Sequence, residues 1–179
     1  MNLPNKLSMI RICLIPVMVV LFSMGASPYK ELAGVVFLLA SITDYFDGQI
    51  ARKRNLVTDF GRFVDPLADK LLVLSALILL SVAGQLPSWI VILILARDLA
   101  IDGLRMIVVK NGVVIAAGKL GKLKTASQML YILLLIFTGF SAFSNIFTII
   151  FTIWILVITI ASCADYFKRY GKELIKEGL

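Results

Sequence analysis

The stretch TASQMLYILLLIFTGFSAFSNIFTIIFTIWILVITIASCA, Thr125 to Ala164, runs for 40 residues without a charge. A helix crosses the hydrocarbon core of a bilayer in about 20 apolar residues, so this run is too long for one span. Gly139–Asn145 interrupts it with glycine, serines and asparagine, residues that end helices and open turns. The stretch therefore predicts two consecutive spans with a short break between them. The rest of the chain agrees: of 179 residues, 60% are hydrophobic and only 16% charged. Soluble domains sit nearer 45–50% apolar and about 25% charged. That balance argues against a soluble enzyme, a nucleic-acid-binding module or a disordered regulator, and leaves a polytopic membrane protein.

Working outward, the same criteria place the other spans. Ile12 to Pro28 is uncharged and follows Lys6 and Arg11. Alone it could be taken for a signal peptide, but the membranous remainder makes it a first span. A second span runs from about Leu32 to the region of Ala51. A third begins near Phe63 and continues through Leu71–Ala83. Gly84 to Ser88, with Pro87, is a turn. A fourth span begins at Trp89 and carries Arg97, Asp98, Asp102 and Arg105, and Asp165–Leu179 forms a charged tail. The expected fold is all-α: six transmembrane helices forming one membrane domain over residues 1–179.

The charge map supports an even span count. There are 18 Lys and Arg against 11 Asp and Glu, a net charge of +7. With six spans, every basic residue except Lys30 falls on one side, which the positive-inside rule makes cytoplasmic together with both termini. Trp89 and Tyr29 read as interfacial anchors, and the phenylalanines of the last two spans as lipid-facing or dimer-packing. Cys13 and Cys163 lie in apolar stretches and read as two buried free thiols. The chain has no histidine, which removes the commonest general base and metal ligand.

The acidic residues carry the chemistry. Asp44 and Asp47 are three apart near the end of span two, and Asp65 and Asp69 are four apart at the start of span three. Both spacings put side chains on one helical face. Four carboxylates at membrane depth are costly and repel one another unless cations intervene. Local pairing with Arg52, Arg62 and Lys70 is the bland alternative. A hard, all-oxygen ligand set favours Mg2+, Mn2+ or Ca2+ over zinc. Gly48, Ala51 and Gly61 keep the neighbouring surface small, and Arg52 offers a planar fork suited to phosphate. Together these residues describe a metal–diphosphate site.

The segment DYFDGQIAR (Asp44–Arg52), eight residues, then GRFVDPLAD (Gly61–Asp69) resembles the signature of the CDP-alcohol phosphotransferase family, D-x2-D-G-x2-A-R-x8-G-x3-D-x3-D, with all eight fixed positions matched. The opening around Asn2–Arg11 is similar to that of bacterial members. Gly118–Met129, with Gly103-Leu-Arg105 upstream, is similar to the branch that forms phosphatidylglycerophosphate. The resemblance implies transfer of a phosphatidyl group from CDP-diacylglycerol to sn-glycerol-3-phosphate with release of CMP, in a homodimer with two divalent ions, Mg2+ or Mn2+. It implies that Asp44, Asp47 and Asp65 ligate metal, that Asp69 shares a metal and serves as general base, and that Gly48, Ala51, Arg52 and Gly61 hold the CDP part. The site would open to the cytoplasmic face of the cell membrane.

On the acceptor side, Asp98, Asp102 and Arg105 fall at i, i+4 and i+7 of span four, and Lys110, Lys119, Lys122 and Lys124 follow. Lysines in that connection can fix topology, bind anionic headgroups or bind the acceptor phosphate. Arg105 lies within a span and needs a polar environment, so it is the first candidate for the acceptor phosphate, then Lys119, Lys122 and Lys124. Asn5 and Arg11 are candidates for donor contacts, Arg11 otherwise serving as a positive-inside anchor. The competing readings are a family member with another acceptor (inositol phosphate, phosphatidylglycerol or serine) and a cation carrier with the carboxylates as its pathway.

Overall fold

The computed structural model describes residues 3–25, 27–53, 59–110 and 118–176, with side chains for 7–25, 27–43, 64, 67–106 and 118–171. It is all-helical over these residues: α1 Leu3–Ser23, α2 Tyr29–Lys53, α3 Asp59–Val82, α4 Ser88–Lys110, α5 Lys119–Thr138 and α6 Ile146–Lys176. The six expected helices are present, with shifted bounds. The first begins at Leu3 rather than Ile12, because Pro4 suits a first helical turn and neither Lys6 nor Arg11 stops a helix. The last continues through the charged tail to Lys176.

Glycines end three of these helices. Gly25, Gly84 and Gly139 all take positive φ, which a side chain would resist. At Gly84 the amide bonds to the Ser81 carbonyl and the Gln85 amide reaches back to Leu80, the paired bonds of a Schellman cap. Gly139 and the residues after it form the expected break between α5 and α6. Asn145 then caps α6: its Oδ1 accepts from the Thr148 amide at 3.0 Å, and the Thr148 hydroxyl accepts from the Asn145 amide at 3.3 Å.

The chain forms two compact units, Met1–Gln85 with Ile132–Phe140, and Leu86–Tyr131 with Ser141–Leu179. In the first, α1 packs on α2 and α3. Ala33, Phe37 and Ala40 line the buried side of α2, and Ala68, Leu72, Ala76 and Leu80 that of α3, one residue per turn. Gly34 is needed for its size, since a Cβ there would stand 2.9 Å from Ile136 Cγ2. The Gln85 amide nitrogen donates to the carbonyls of Leu135 (2.8 Å) and Phe140 (3.2 Å) at the end of α5, the Leu135 carbonyl also accepting from the Gly139 amide at 3.1 Å.

In the second unit α4 packs on α6. The face of α6 turned inward carries fully buried polar residues, Thr148, Thr152, Thr159 and Ser162, alongside the buried Ile155, Ile158 and Tyr166. The face turned outward is Ile146, Ile150, Ile153, Val157 and Ile160, all exposed. A water-soluble helix has the opposite arrangement. Thr152 Oγ1 shares a 2.6 Å hydrogen bond with the Tyr131 hydroxyl and lies within hydrogen-bond distance of the Ala142 and Thr148 carbonyls, and Ser162 Oγ donates to the Thr159 carbonyl, so these two inward hydroxyls are paired. Among the described residues, Lys119–Thr138 and Ile146–Gly171 are long and apolar enough to cross a membrane.

Two expectations change. Cys13 is exposed and Cys163 half-buried, both as free thiols. Cys13 shares the outward side of α1 with Ile10, Val17 and Val20, so an apolar stretch did not mean a position inside the protein. Arg11 is only 1% exposed on α1, where an interfacial anchor would reach outward. Trp89, Phe137, Phe140, Phe143 and Phe147 face outward.

Candidate active site

The signature lies on the two helices that the spacing required. Asp44, Asp47, Gly48, Ala51 and Arg52 are positions of α2, and Gly61, Asp65 and Asp69 are positions of α3. Positions 44, 47 and 51 stand at i, i+3 and i+7, and positions 61, 65 and 69 at i, i+4 and i+8. Each set therefore shares one register face of its helix. The helices pack against each other within the first unit. The side chains of Asp44, Asp47, Gly48, Ala51, Arg52, Gly61 and Asp65, and that of Asn5, lie outside the described residues. Asp69 is described: it is half-buried, one turn before the buried Leu72 and next to the buried Ala68. A carboxylate so placed is partly withdrawn from water yet still reachable, as a proton acceptor must be.

The acceptor candidates gather in the second unit around Tyr166 of α6. Arg105 Nη2 donates to the Tyr166 hydroxyl at 2.7 Å, and the Gly118 amide, just before α5, donates to the same oxygen at 3.1 Å. The Arg105 and Arg97 guanidiniums both lie over the Tyr166 ring, 5.3 and 5.9 Å from its centroid. That is within the range of cation–π attraction. Arg97 Nη1 donates to Asp98 Oδ1 at 2.9 Å. Lys124 Nζ donates to both oxygens of the same carboxylate, at 2.7 and 2.9 Å. The Lys124 side chain is 3% exposed and that of Asp98 26%. Lys119 and Lys122 are exposed on the first turns of α5.

These placements sort the acceptor candidates. Arg105 sits in the polar environment expected of an arginine inside an apolar stretch. Lys119 and Lys122 remain exposed cations, whereas Lys124 is a buried ion-pair partner of Asp98. Asp102 is half-buried on α4, and Asp165 is engaged by Arg169 at 2.8 Å. Sequence reasoning missed Arg97 and Tyr166. Arg97 stands eight residues before Arg105, two turns along one helix face, a spacing that could have joined them. Nothing in the sequence around Tyr166 marks it.

The chemical capacity of this cluster is anion binding. The Nε–H groups of both Arg97 and Arg105 are buried and have no hydrogen-bond acceptor among the described residues. A buried guanidinium donor without an acceptor costs free energy, which an anionic ligand would recover. Gly118 and Gly121 lie beside the cluster: a Cβ at Gly121 would stand in ordinary van der Waals contact, 3.4 Å from Tyr166 Cε2 and 3.9 Å from Arg97 Nη2.

Comparison with known proteins agrees with the signature. The sequence profile of the CDP-alcohol phosphatidyltransferase family matches residues 1–161. The chain is 43% identical to the CDP-diacylglycerol–glycerol-3-phosphate 3-phosphatidyltransferase of Bacillus subtilis, with 97% of each chain covered. It is 46% identical to the protein of that name in Rickettsia typhi, over 75% of this chain and 76% of the relative. It is 38% identical to a probable phosphatidylglycerophosphate synthase of Mycobacterium tuberculosis, over 97% of this chain and 83% of the relative. With a profile match through most of its length, the full signature on α2 and α3 and relatives aligned nearly end to end, the chain belongs to the CDP-alcohol phosphatidyltransferase family.

Proposed function

We propose that the protein transfers the phosphatidyl group of CDP-diacylglycerol to sn-glycerol-3-phosphate, forming phosphatidylglycerophosphate and CMP. The observation that carries the acceptor side is the pair of guanidiniums over Tyr166, whose buried Nε–H groups lack acceptors among the described residues. An acceptor bearing its own phosphate would supply that partner, and an uncharged alcohol would not. Relatives named for glycerol-3-phosphate support the same choice. Arg105 and Arg97 bind the phosphate, Lys119 and Lys122 draw it in from solution, and Lys124 holds Asp98 in place.

Donor chemistry falls to α2 and α3. Asp44, Asp47, Asp65 and Asp69 would hold divalent ions, Mg2+ or Mn2+. Their register suits a shared all-oxygen ligand set, with two positions on each of two packed helices. Such ions supply charge neutralisation at the diphosphate when bound. Gly48, Ala51 and Gly61 leave room for the nucleotide, Arg52 pairs with phosphate oxygens, and Asn5 adds a donor contact. Asp69 takes the proton of the attacking hydroxyl.

The polarity of α6 supports a membrane setting: its small polar residues, Thr148, Thr152, Thr159 and Ser162, are all buried, while its outward face is isoleucine and valine. We read all six helices as spans of one domain in the cytoplasmic membrane, with both termini and the active site on the cytoplasmic side. The protein acts as a homodimer. The lipid donor keeps its acyl chains in the bilayer while its nucleotide reaches the carboxylates.

The test is CMP release by purified protein given CDP-diacylglycerol, Mg2+ or Mn2+, and one acceptor at a time. Turnover with sn-glycerol-3-phosphate, lost on chelation and restored by metal, is the expected result. Turnover with inositol phosphate, phosphatidylglycerol or serine but not with sn-glycerol-3-phosphate would refute the assignment. Ion flux in liposomes without CMP release would point to a carrier instead.

A further inference from the structure

Tyr166 joins three helices at one oxygen and one ring. It lies on α6, accepts from Arg105 of α4 and from the Gly118 amide at the start of α5, and carries both guanidiniums of α4 over its face. It is itself 2% exposed, packed with Ile101 and Leu104 and flanked by Cys163 and Tyr170. Its ring is therefore fixed by contacts that do not depend on either arginine.

A carboxylate in this position would hold Arg105 more strongly but would also cancel its charge. A phenol hydroxyl holds the guanidinium while leaving the charge available for an anion. The ring holds Arg105 in the same way and adds a second hold on Arg97, whose Nη1 also donates to Asp98, because its quadrupole attracts cations without neutralising them. Arg97 and Arg105 are two long, flexible side chains two turns apart on one helix, and like charges so placed repel. Sharing one ring brings them together at low entropy, which is what tight recognition of a small anion requires.

We propose that Tyr166 is the positioning residue of the acceptor site: its hydroxyl and ring fix the Arg97 and Arg105 guanidiniums for a phosphate-bearing alcohol. This rests on the acceptor reading given above. Tyr166 makes no bond to the reacting atoms, and its effect passes through the arginines.

The test uses the full-length protein in detergent micelles or bicelles, with Tyr166→Phe, Tyr166→Leu, Arg105→Ala and the Tyr166→Phe/Arg105→Ala double variant. Phenylalanine keeps the ring and removes only the hydroxyl. The KM for sn-glycerol-3-phosphate should rise by about tenfold or more in Tyr166→Phe, the effect of a lost hydrogen bond to a charged group. The KM for CDP-diacylglycerol and kcat should stay within about twofold, as expected for lost ground-state binding of one substrate. Tyr166→Leu, without the ring, should weaken acceptor binding further. In the Arg105→Ala background, Tyr166→Phe should add less than about twofold, because its route is already cut. Binding of inorganic phosphate, read by calorimetry without donor, should fall by the same factors.

An unchanged acceptor KM in Tyr166→Phe, equal losses for both substrates, or an undiminished effect in the Arg105→Ala background would each overturn the proposal. The phosphate arm separates it from the functional assignment. If wild-type protein releases no CMP with sn-glycerol-3-phosphate yet phosphate binding follows the pattern above, the assignment falls and the role of Tyr166 stands. Normal turnover with a Tyr166→Phe variant indistinguishable from wild type reverses that outcome. Wild-type protein that shows neither turnover nor phosphate binding overturns both.

Discussion

Asp98→Ala should destabilise the protein more than Lys124→Met, although the two residues form one ion pair. Lys124 is the more deeply buried member, with a side chain 3% exposed, and it donates to both carboxylate oxygens at 2.7 and 2.9 Å. Removing Asp98 withdraws those acceptors from a buried ammonium, and also the oxygen that Arg97 holds at 2.9 Å. Stripping one partner from a buried pair costs about 3–5 kcal/mol. Asp98 is 26% exposed, so water can partly replace it, and the lower end, about 3 kcal/mol, is expected. Lys124→Met keeps the apolar stem and leaves Asp98 with Arg97 and some water, so about 1 kcal/mol is expected. The double variant carries no stranded charge on Lys124 and should cost about 2 kcal/mol, less than the sum of the single changes. For a chain of this length each kcal/mol moves Tm by about 2–4 °C, so melting in micelles would resolve the three variants. Additive losses, or a Lys124→Met variant as unstable as Asp98→Ala, would refute the argument. A Lys124→Met variant of wild-type stability with a raised acceptor KM would return Lys124 to phosphate binding.

Asp69→Asn should lower kcat by about 10²–10⁴-fold, the range of a lost general base, while CDP-diacylglycerol binding stays within a few-fold; substantial turnover in a pre-steady-state CMP assay would remove Asp69 from that role. Gln85→Leu keeps the volume of a residue that is 6% exposed but removes a donor from the Phe140 carbonyl and from the Leu135 carbonyl, the latter keeping its bond from the Gly139 amide. It should cost about 1–3 kcal/mol in a denaturation midpoint with acceptor KM unchanged, and a neutral result would mean that the end of α5 finds other donors.

Much of this architecture could be read from sequence because charge is sparse and the long apolar runs stand out. An uncharged run of 40 residues with a glycine near its middle admits few interpretations, and Gly139 ends α5 where that reading required. Helix ends were less legible. Polar and charged residues can begin or finish a helix whose apolar part alone is conspicuous, so α1 starts at Leu3 and α6 runs to Lys176. Which side of a helix faces the protein was hidden for a related reason. Hydrophobicity marks the core in water, but in lipid both faces of a span can be apolar, and Cys13 came out exposed. On α6 the informative signal was the minority residues: Thr148, Thr152, Thr159 and Ser162 trace the buried face that the isoleucines leave unmarked.

The two halves of the chemistry were legible to different degrees, and the reason lies in how each is built. In the proposed assignment the donor half uses carboxylates three and four apart on single helices, so its geometry is local and periodicity displays it. The proposed acceptor cluster uses residues that meet only after folding. Arg97 and Arg105 share a helix, but the group that gathers them comes from Tyr166, 61 positions beyond Arg105 in the chain. A tyrosine at the start of a charged tail carries no sign of its partners, and even Lys124 looked like its neighbours Lys119 and Lys122 until Asp98 was found against it. Charge in a sparse background reveals where chemistry can occur. Whether a given cation binds substrate or holds the protein together depends on its partner: the neutral Tyr166 hydroxyl leaves Arg105 its charge, and the Asp98 carboxylate takes up that of Lys124.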